Sequence, residues 1–597
     1  MTFDTIIKGG RWFDGTGAAS AVRNLGIRDG HVVTITADEL NETGCPEVVE
    51  ASGQWVLPGF VDIHTHYDIE VLDGPGLAES VRHGVTTLLL GSCSLSTVHV
   101  GGVDAGDLFG RVEAIPRQHV IRAVDEHRDW STAQQYVDAL ESLPLGPNLA
   151  AFLGHSDMRA ATMGLDRATR KEVRPSRREQ ARMESMLEEA LDAGFVGMSA
   201  QQLLFDKLDG DLCRSRTLPS TYAKGKEMRG LRKILRRRRR ALQAGPDASS
   251  PVSTIGGQAL GSIGWFGRPA LRTSLLSAAD IKAIPFVIHL MRPIANLVNK
   301  LGADFRWQHL PVPFEVYADG IDLVIFEEFG SGAMALHIQE KLARDELMRD
   351  PEYRKAFRKD YESKYGPRVW HRDFYDAEIV ACPDDSVVGK SFGQVGDERG
   401  EKHPVDAFLD LVLEHGTDIR WRTTISNHRP QVLQKLAQDS GIQIGFSDAG
   451  AHLRNMAFYN FGLRLLRHVR DAERAGKPFM TIEQAVHRLT GELGEWYRID
   501  AGTLRVGDRA DIVVIDPARL DDTLESYHES PVEQYGGLSR MVNRNDAAVP
   551  AVFISGRRVV ADGAPTPLVG SERTGQFLRA DRPGAAVPAA GAVEAAS

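Results

Sequence analysis

Short hydrophobic runs mark both ends of this chain, and between them strand-like runs alternate with helix-like ones. Residues 3 to about 56 carry β-rich stretches at 5–10, 22–30 and 31–35, separated by Gly and Asp-Gly steps of the kind that turn hairpins. Residues 504–516 and 551–560 repeat this texture, so the two ends are expected to share one small β-sandwich. The middle reads as βα units. Candidate strands lie at 59–64, 86–91, 150–154, 194–199, 284–289, 323–326, 420–426 and 442–447. Residues 177–193 predict an amphipathic helix, with Ala181, Met186, Leu187, Ala190 and Leu191 on one side and Gly194 as its stop.

Two spans break the rhythm and read as insertions, near 203–280 and 330–418. The first holds the basic run Arg236–Arg240, read as a solvated helix face in preference to an anion-binding patch. The second is rich in charges and aromatics, including Tyr353, Phe357, Tyr361, Tyr365 and Trp370, and either span could form a lid. The expected division is 1–57 for the first part of the sandwich, 58–495 for the α/β body and 496–570 for the second part. Residues 571–597 form an Ala/Gly/Pro-rich tail expected to be disordered.

With 597 residues the chain can bury a large core, and 42% hydrophobic and 25% charged residues are ordinary for a folded globular protein. A net charge of −10 argues against nucleic-acid or anionic-membrane partners and favours a small-molecule substrate. Homo-oligomerisation is left open. The four cysteines, Cys45, Cys93, Cys213 and Cys382, are too scattered for a CxxC site and fit a reducing cytoplasm. No basic segment leads into an apolar run at the N-terminus, and no window of 18 apolar residues occurs, so neither export nor membrane spanning is expected.

The chemistry concentrates at Leu57-Pro58-Gly59-Phe60-Val61-Asp62-Ile63-His64-Thr65-His66-Tyr67-Asp68. Side chains two apart on a strand share a face, so His64 and His66 can offer two imidazoles to one metal ion. The segment resembles the first strand of the amidohydrolase superfamily, which implies a distorted (β/α)₈ TIM barrel flanked by the sandwich. Gly91-Ser92-Cys93-Ser94 is similar to the Gly-Asn-Cys-Gly of D-aminoacylases, in which the cysteine binds metal. Gly154-His155-Ser156-Asp157-Met158-Arg159 resembles their Gly-His-Gly-x-x-Arg, making His155 a candidate to orient substrate. His289 closes the apolar run 283–288, as the sixth strand of that family closes on a ligand. Asp448, in Phe446-Ser447-Asp448-Ala449-Gly450, resembles the aspartate of the last strand.

A fifth-strand histidine is missing, and Gln243 stands where it is expected. The resemblance therefore implies zinc, one ion or two, with one favoured, on His64, His66, Cys93, His289 and Asp448; Asp206, Lys207 or Asp247 could be recruited. It implies a hydrolase of non-peptide amide bonds, above all an N-acyl-D-amino-acid deacylase. Zinc would activate a water, Asp448 would act as general base and acid, and Arg292 is the candidate cation for the substrate carboxylate. Two further readings stay open: hydrolysis of a cyclic or other amide, and a barrel that binds metal or ligand without turnover.

Overall fold

The computed structural model describes residues 2–203, 206–245, 251–264, 267–338, 340–364 and 368–581. Eight parallel strands form the central sheet: β1 Phe60–Asp62, β2 Val85–Leu90, β3 Asn148–Gly154, β4 Gly197–Gln201, β5 Ala241–Gly245, β6 Arg272–Leu275, β7 Asp304–His309 and β8 Ile442–Ile444. Each pairs with the next in the order of the chain, apart from β7, which pairs with β8 across a long excursion. The sheet closes where β1 runs on into His64–Thr65 and β8 into Phe446–Ala449. Those extensions pair in parallel, and the Ile63 amide donates to the Gly445 carbonyl at 2.7 Å. A closed parallel barrel collects its strands' C-terminal ends on one face, which is where catalytic groups gather.

The sequence places three of these strands elsewhere. β5 and β6 lie inside 203–280, so that span is largely barrel rather than insertion. Residues 284–289 are no strand: Val287–Lys300 is a helix that buries Ile288, Met291, Ala295 and Val298. An apolar run of six residues fits a buried strand and the start of such a helix equally well, and its period cannot decide between them. Residues 323–326 fall in a 3₁₀ turn, Val324–Glu328.

Arg420–Ser426 is a strand, but of a separate antiparallel sheet with Phe314–Asp319 and Glu378–Ala381. Together with helices between 330 and 415 this sheet forms an inserted body with its own aromatic core of Phe326, Phe357, Trp370, Phe374, Phe408 and Trp421. Tyr353 and Tyr361 pack into or against that core, so these aromatics are interior and not a rim; Tyr365 lies outside the described residues.

Four helices matter below: α1 His155–Met163, α2 Arg177–Asp192, α3 Gly225–Arg238 and α4 Val287–Lys300. α2 begins at a capping box in which Ser176 and Glu179 satisfy each other's free amides, and it ends before Gly194 at φ +103°. Arg236, Arg237 and Arg238 are not a free basic face. They reach the carbonyls of Ile263 and Pro269 and the carboxylates of Glu188 and Asp192.

Both chain ends enter one nine-stranded sheet in which Trp55–Pro58 pairs with Ile512–Ile515. It encloses a small core of Ile7, Leu25, Ile27, Val56, Ile512, Val514 and Phe553. Residues 571–581 do not float free: Leu578 donates to the Leu149 carbonyl at 2.6 Å, and Phe577 and Leu578 are buried. With Val61, Phe152, Trp496 and Tyr497, Leu578 fills the barrel at the end away from the histidines. Residues 582–597 lie outside the described part. Among the described residues, no helix is long and apolar enough to cross a membrane.

Candidate metal centre

Elements far apart in sequence meet where β1 ends. Gly59 lets β1 approach β2 closely, since a Cβ there would sit 2.1 Å from Thr86 Oγ1. The strand then delivers His64 and His66 to the mouth of the barrel, both buried. His64 Nδ1 bonds Gln308 Oε1 at 2.7 Å. The Gln308 amide is oriented by its own donation to Ser274 Oγ at 2.9 Å, so its oxygen faces His64 and the imidazole keeps its proton on Nδ1. Nε2 is left as a free lone pair. It lies 3.3 Å from Cys93 Sγ and 3.5 Å from Asp448 Oδ1.

His66 Nε2 is 3.1 Å from Asp448 Oδ1, while Nδ1 makes no hydrogen bond among the described residues and has Glu113 Oε1 at 3.2 Å as its charged neighbour. The donor atoms of His64, His66 and Cys93 all lie within 4.8 Å of one another.

Cys93 and Asp448 reach this point through backbone that ordinary residues avoid. Cys93, Ser94 and Asp448 have φ of +52°, +70° and +60°. Non-glycine residues there carry strain of about 1–3 kcal/mol each and persist only where the surroundings enforce it. The enforcement is visible: Gln243 Oε1 accepts from the Cys93 amide at 3.1 Å, and Ser199 Oγ from the Ser94 amide at 3.0 Å. Gln243, which stands where the histidine was expected, is therefore in the middle of β5 and braces the Cys93 turn.

Electrostatics give the cluster its character. Burial lowers His64 to about 4. Burial also pushes the Cys93 thiol up to about 12 and the Glu113 carboxyl up to about 8, partly countered by His66. His66 is the reverse case, because Glu113, Asp448 and Cys93 outweigh its desolvation and raise it well above its ordinary value. Asp448, though buried, is held down at about 2 by His66 and His64. Asp68 and Asp206 nearby rise to about 6 through burial. The pocket thus gathers carboxylates and a thiol around two imidazoles, and protons compensate the excess negative charge. A divalent cation is the natural replacement for those protons, and the donor set of two imidazole nitrogens, a thiol and a carboxylate suits zinc.

The other expected site residues lie elsewhere. His289 is on α4 with its side chain exposed, and β6, which should carry a ligand, offers Ser274 instead, bonded to Gln443, Gln308 and Tyr497. Arg292, also on α4, pairs with Asp439 at 3.1 Å. His155 heads α1, fully buried, with both ring nitrogens engaged by Ser220 Oγ and Glu227 Oε1 at 3.0 Å. Asp247 falls outside the described residues. Sequence reasoning missed Glu113 and Gln308: the one trace of the first is an acid inside the apolar run Val112-Glu113-Ala114-Ile115, and of the second an amide inside β7.

A closed α/β barrel with a metal-type donor cluster at the C-terminal ends of its strands defines the class of this protein, and comparison places it more narrowly. Residues 47–235 match the amidohydrolase family model. The chain is 55% identical to an uncharacterized protein of Mycobacterium tuberculosis strain H37Rv over 98% of its own length and 97% of the relative's. It is 24% identical to the N-acyl-D-aspartate deacylase of Alcaligenes xylosoxydans xylosoxydans over 98% and 96% of the two chains. In fold it matches the N-acyl-D-glutamate deacylase of Bordetella bronchiseptica, solved with zinc and a phosphonate inhibitor, at a TM-score of 0.62 and 21% identity, covering 97% and 100%. Residues 47–235 thus carry an amidohydrolase domain, and the full-length relative with a named activity and the structural neighbour, at 24% and 21% identity, are deacylases of N-acyl-D-amino acids.

Proposed function

We propose that this enzyme is a zinc-dependent deacylase of N-acyl-D-amino acids. The observation that carries this reading is the convergence of His64 Nε2, His66 Nε2, Cys93 Sγ and Asp448 Oδ1 at the barrel mouth. These four residues would hold the ion, and with no histidine on β5 or β6 a single ion is favoured. Bound there, zinc supplies a water of lowered pKa and polarises the amide carbonyl.

The remaining work falls to the chain itself. Asp448, ionised and beside both imidazoles, accepts the proton of the attacking water and returns it to the leaving nitrogen. Gln308 and Glu113 hold the imidazoles with Nε2 inward. The inserted body supplies Glu327 and His337 to a cavity of about 250 Å³ that also borders Ala114 and His452. For the substrate carboxylate, Lys207 takes the role that Arg292 cannot. It is half-buried, has no carboxylate within ion-pair distance among the described residues, and feels the charges of Glu327, Arg111 and Asp206.

The test is metal analysis of purified protein together with rates on matched N-acetyl-D- and N-acetyl-L-amino acids. About one zinc per chain and turnover of the D series are expected, with Asp448→Asn losing most turnover while metal stays bound. Equal rates on both series would remove the D-amino-acid assignment, and a chain that neither binds zinc nor turns over either series would remove the mechanism.

A further inference from the structure

We propose that a cavity on the outside of the barrel, remote from the cluster's donor atoms, binds a phosphate-bearing small molecule. The cavity has a volume of about 340 Å³ and opens between residues 99 and 128–131, the end of α1 and the first turns of α2. Its polar lining is His99, Arg128, Ser131, Thr162, Arg178 and Arg182, with Glu179 as the one acid. Glu179 is already committed, since it caps α2 through the Ser176 amide and pairs with Arg167 at 2.6 Å. It leaves Arg128 and Arg178 without a carboxylate partner among the described residues.

Their isolation is unusual for this molecule. On the same face of the barrel Arg170 pairs with Asp166, Arg237 with Glu188 and Arg238 with Asp192, as expected of an acidic chain with carboxylates to spare. Around the cavity, Arg178 meets no carboxylate among the described residues, and Arg128 gives one N–H to the His99 carbonyl at 3.0 Å while its buried Nε has no partner. Arg182 reaches only Glu189, at 3.4 Å. Three guanidinium groups facing one hollow repel each other unless an anion joins them.

His99, 9% exposed, borders the cavity and brings an imidazole rather than a carboxylate to the arginines. The backbone that carries His99 is fixed in place: the Asp157 carboxylate accepts from the Ser96 hydroxyl and from the amides of Val98, His99 and Val100 at 2.6–3.1 Å. Burial lowers this histidine to about 4, with Arg182 and Arg128 adding to the effect, so near pH 7 it is a neutral donor.

The donor count selects the ligand chemistry. One arginine saturates a carboxylate through a two-pronged contact, whereas three guanidinium groups around one hollow match a tetrahedral oxyanion with more than two oxygens. The volume falls in the range of small-molecule sites, and a net charge of −10 disfavours a polyanionic macromolecule. The cavity meets the segment that runs from Cys93 to His99 only at His99, so the site does not depend on the proposed activity.

Calorimetric titration of the whole protein at low ionic strength tests the proposal, with inorganic phosphate, glycerol 3-phosphate and acetate as probes. Saturable binding of the ester is expected, tighter than inorganic phosphate and about tenfold or more tighter than acetate. Arg128→Gln and the pair Arg178→Gln/Arg182→Gln should each weaken it about tenfold, and Arg237→Gln on α3 should leave it unchanged. No saturable heat with either phosphate probe would overturn the proposal, as would unaltered affinity in the triple Arg→Gln variant. Acetate binding as tightly as the ester would overturn the choice of ligand, and no gain from phosphate to ester would overturn the small-molecule assignment in favour of the free ion.

Discussion

Glu113→Gln and Glu113→Ala separate position from charge at the proposed metal centre. Glu113 touches His66 at 3.2 Å, and both side chains are almost completely buried, so little solvent can stand in for the lost partner. Partners of this kind, which hold the far nitrogen of a metal-ligating histidine, are worth about 10–100-fold in metal affinity. That corresponds to about 1.4–2.8 kcal/mol. Gln keeps an oxygen that can accept from Nδ1–H and loses only the charge, so about tenfold weaker zinc binding is expected. Ala removes both the charge and the polar group facing Nδ1 and should approach the hundredfold limit.

Competition against a chromophoric zinc chelator at pH 7.5 measures both, and kcat at saturating zinc should recover more fully in the Gln variant than kcat at limiting zinc. Wild-type zinc affinity in the Ala variant would refute the idea that His66 Nε2 points at a cation because Glu113 holds Nδ1.

Three further outcomes follow from the structure. Lys207→Met should raise KM for an N-acyl amino acid about tenfold with kcat nearly unchanged, and leave hydrolysis of the matching carboxamide unaffected; a loss shared by both substrates would assign Lys207 a structural role. Burial depresses His83 to about 3, so its stabilising neutral form is complete above its unfolded value of 6.5 and is lost as pH falls from there toward 3. The cost by pH 5 is about 2 kcal/mol, and melting temperatures at pH 7.5 and 5 should converge in His83→Phe; an unchanged pH dependence would refute this. Glu70 binds Arg540 through both carboxylate oxygens at 2.9 and 3.0 Å in a buried setting, fastening the hairpin of His528–Val532 and Leu538–Val542 to the barrel. Glu70→Ala strands a buried guanidinium and should destabilise by about 3–5 kcal/mol, read as a lowered unfolding midpoint and as early proteolysis near residues 528–542.

What the sequence determined by itself is what local pattern encodes. The His64-Thr65-His66 alternation at the end of an apolar strand fixes two imidazoles on one face, and Cys93 and Asp448 each follow a run too apolar to end anywhere but in a core. Those four residues were legible because each sits at the C-terminal end of a strand, and a barrel brings such ends together. The pairing of the two chain ends was legible for the same reason: hairpin texture recurs at both.

Only the tertiary structure decided the rest. The run before His289 satisfies a strand and a helix equally, and packing of Ile288, Met291 and Ala295 chose the helix, which carried His289 and Arg292 away from the barrel mouth. β5 and β6 have five and four residues, too short to stand out from the helices around them. Glu113 and Gln308 act on the histidines across separations that no spacing rule covers, 47 residues for Glu113 and His66 and 244 for Gln308 and His64. Strand periodicity is a property of neighbours along the chain, whereas the direction of an imidazole is set by whatever the closed barrel puts behind it.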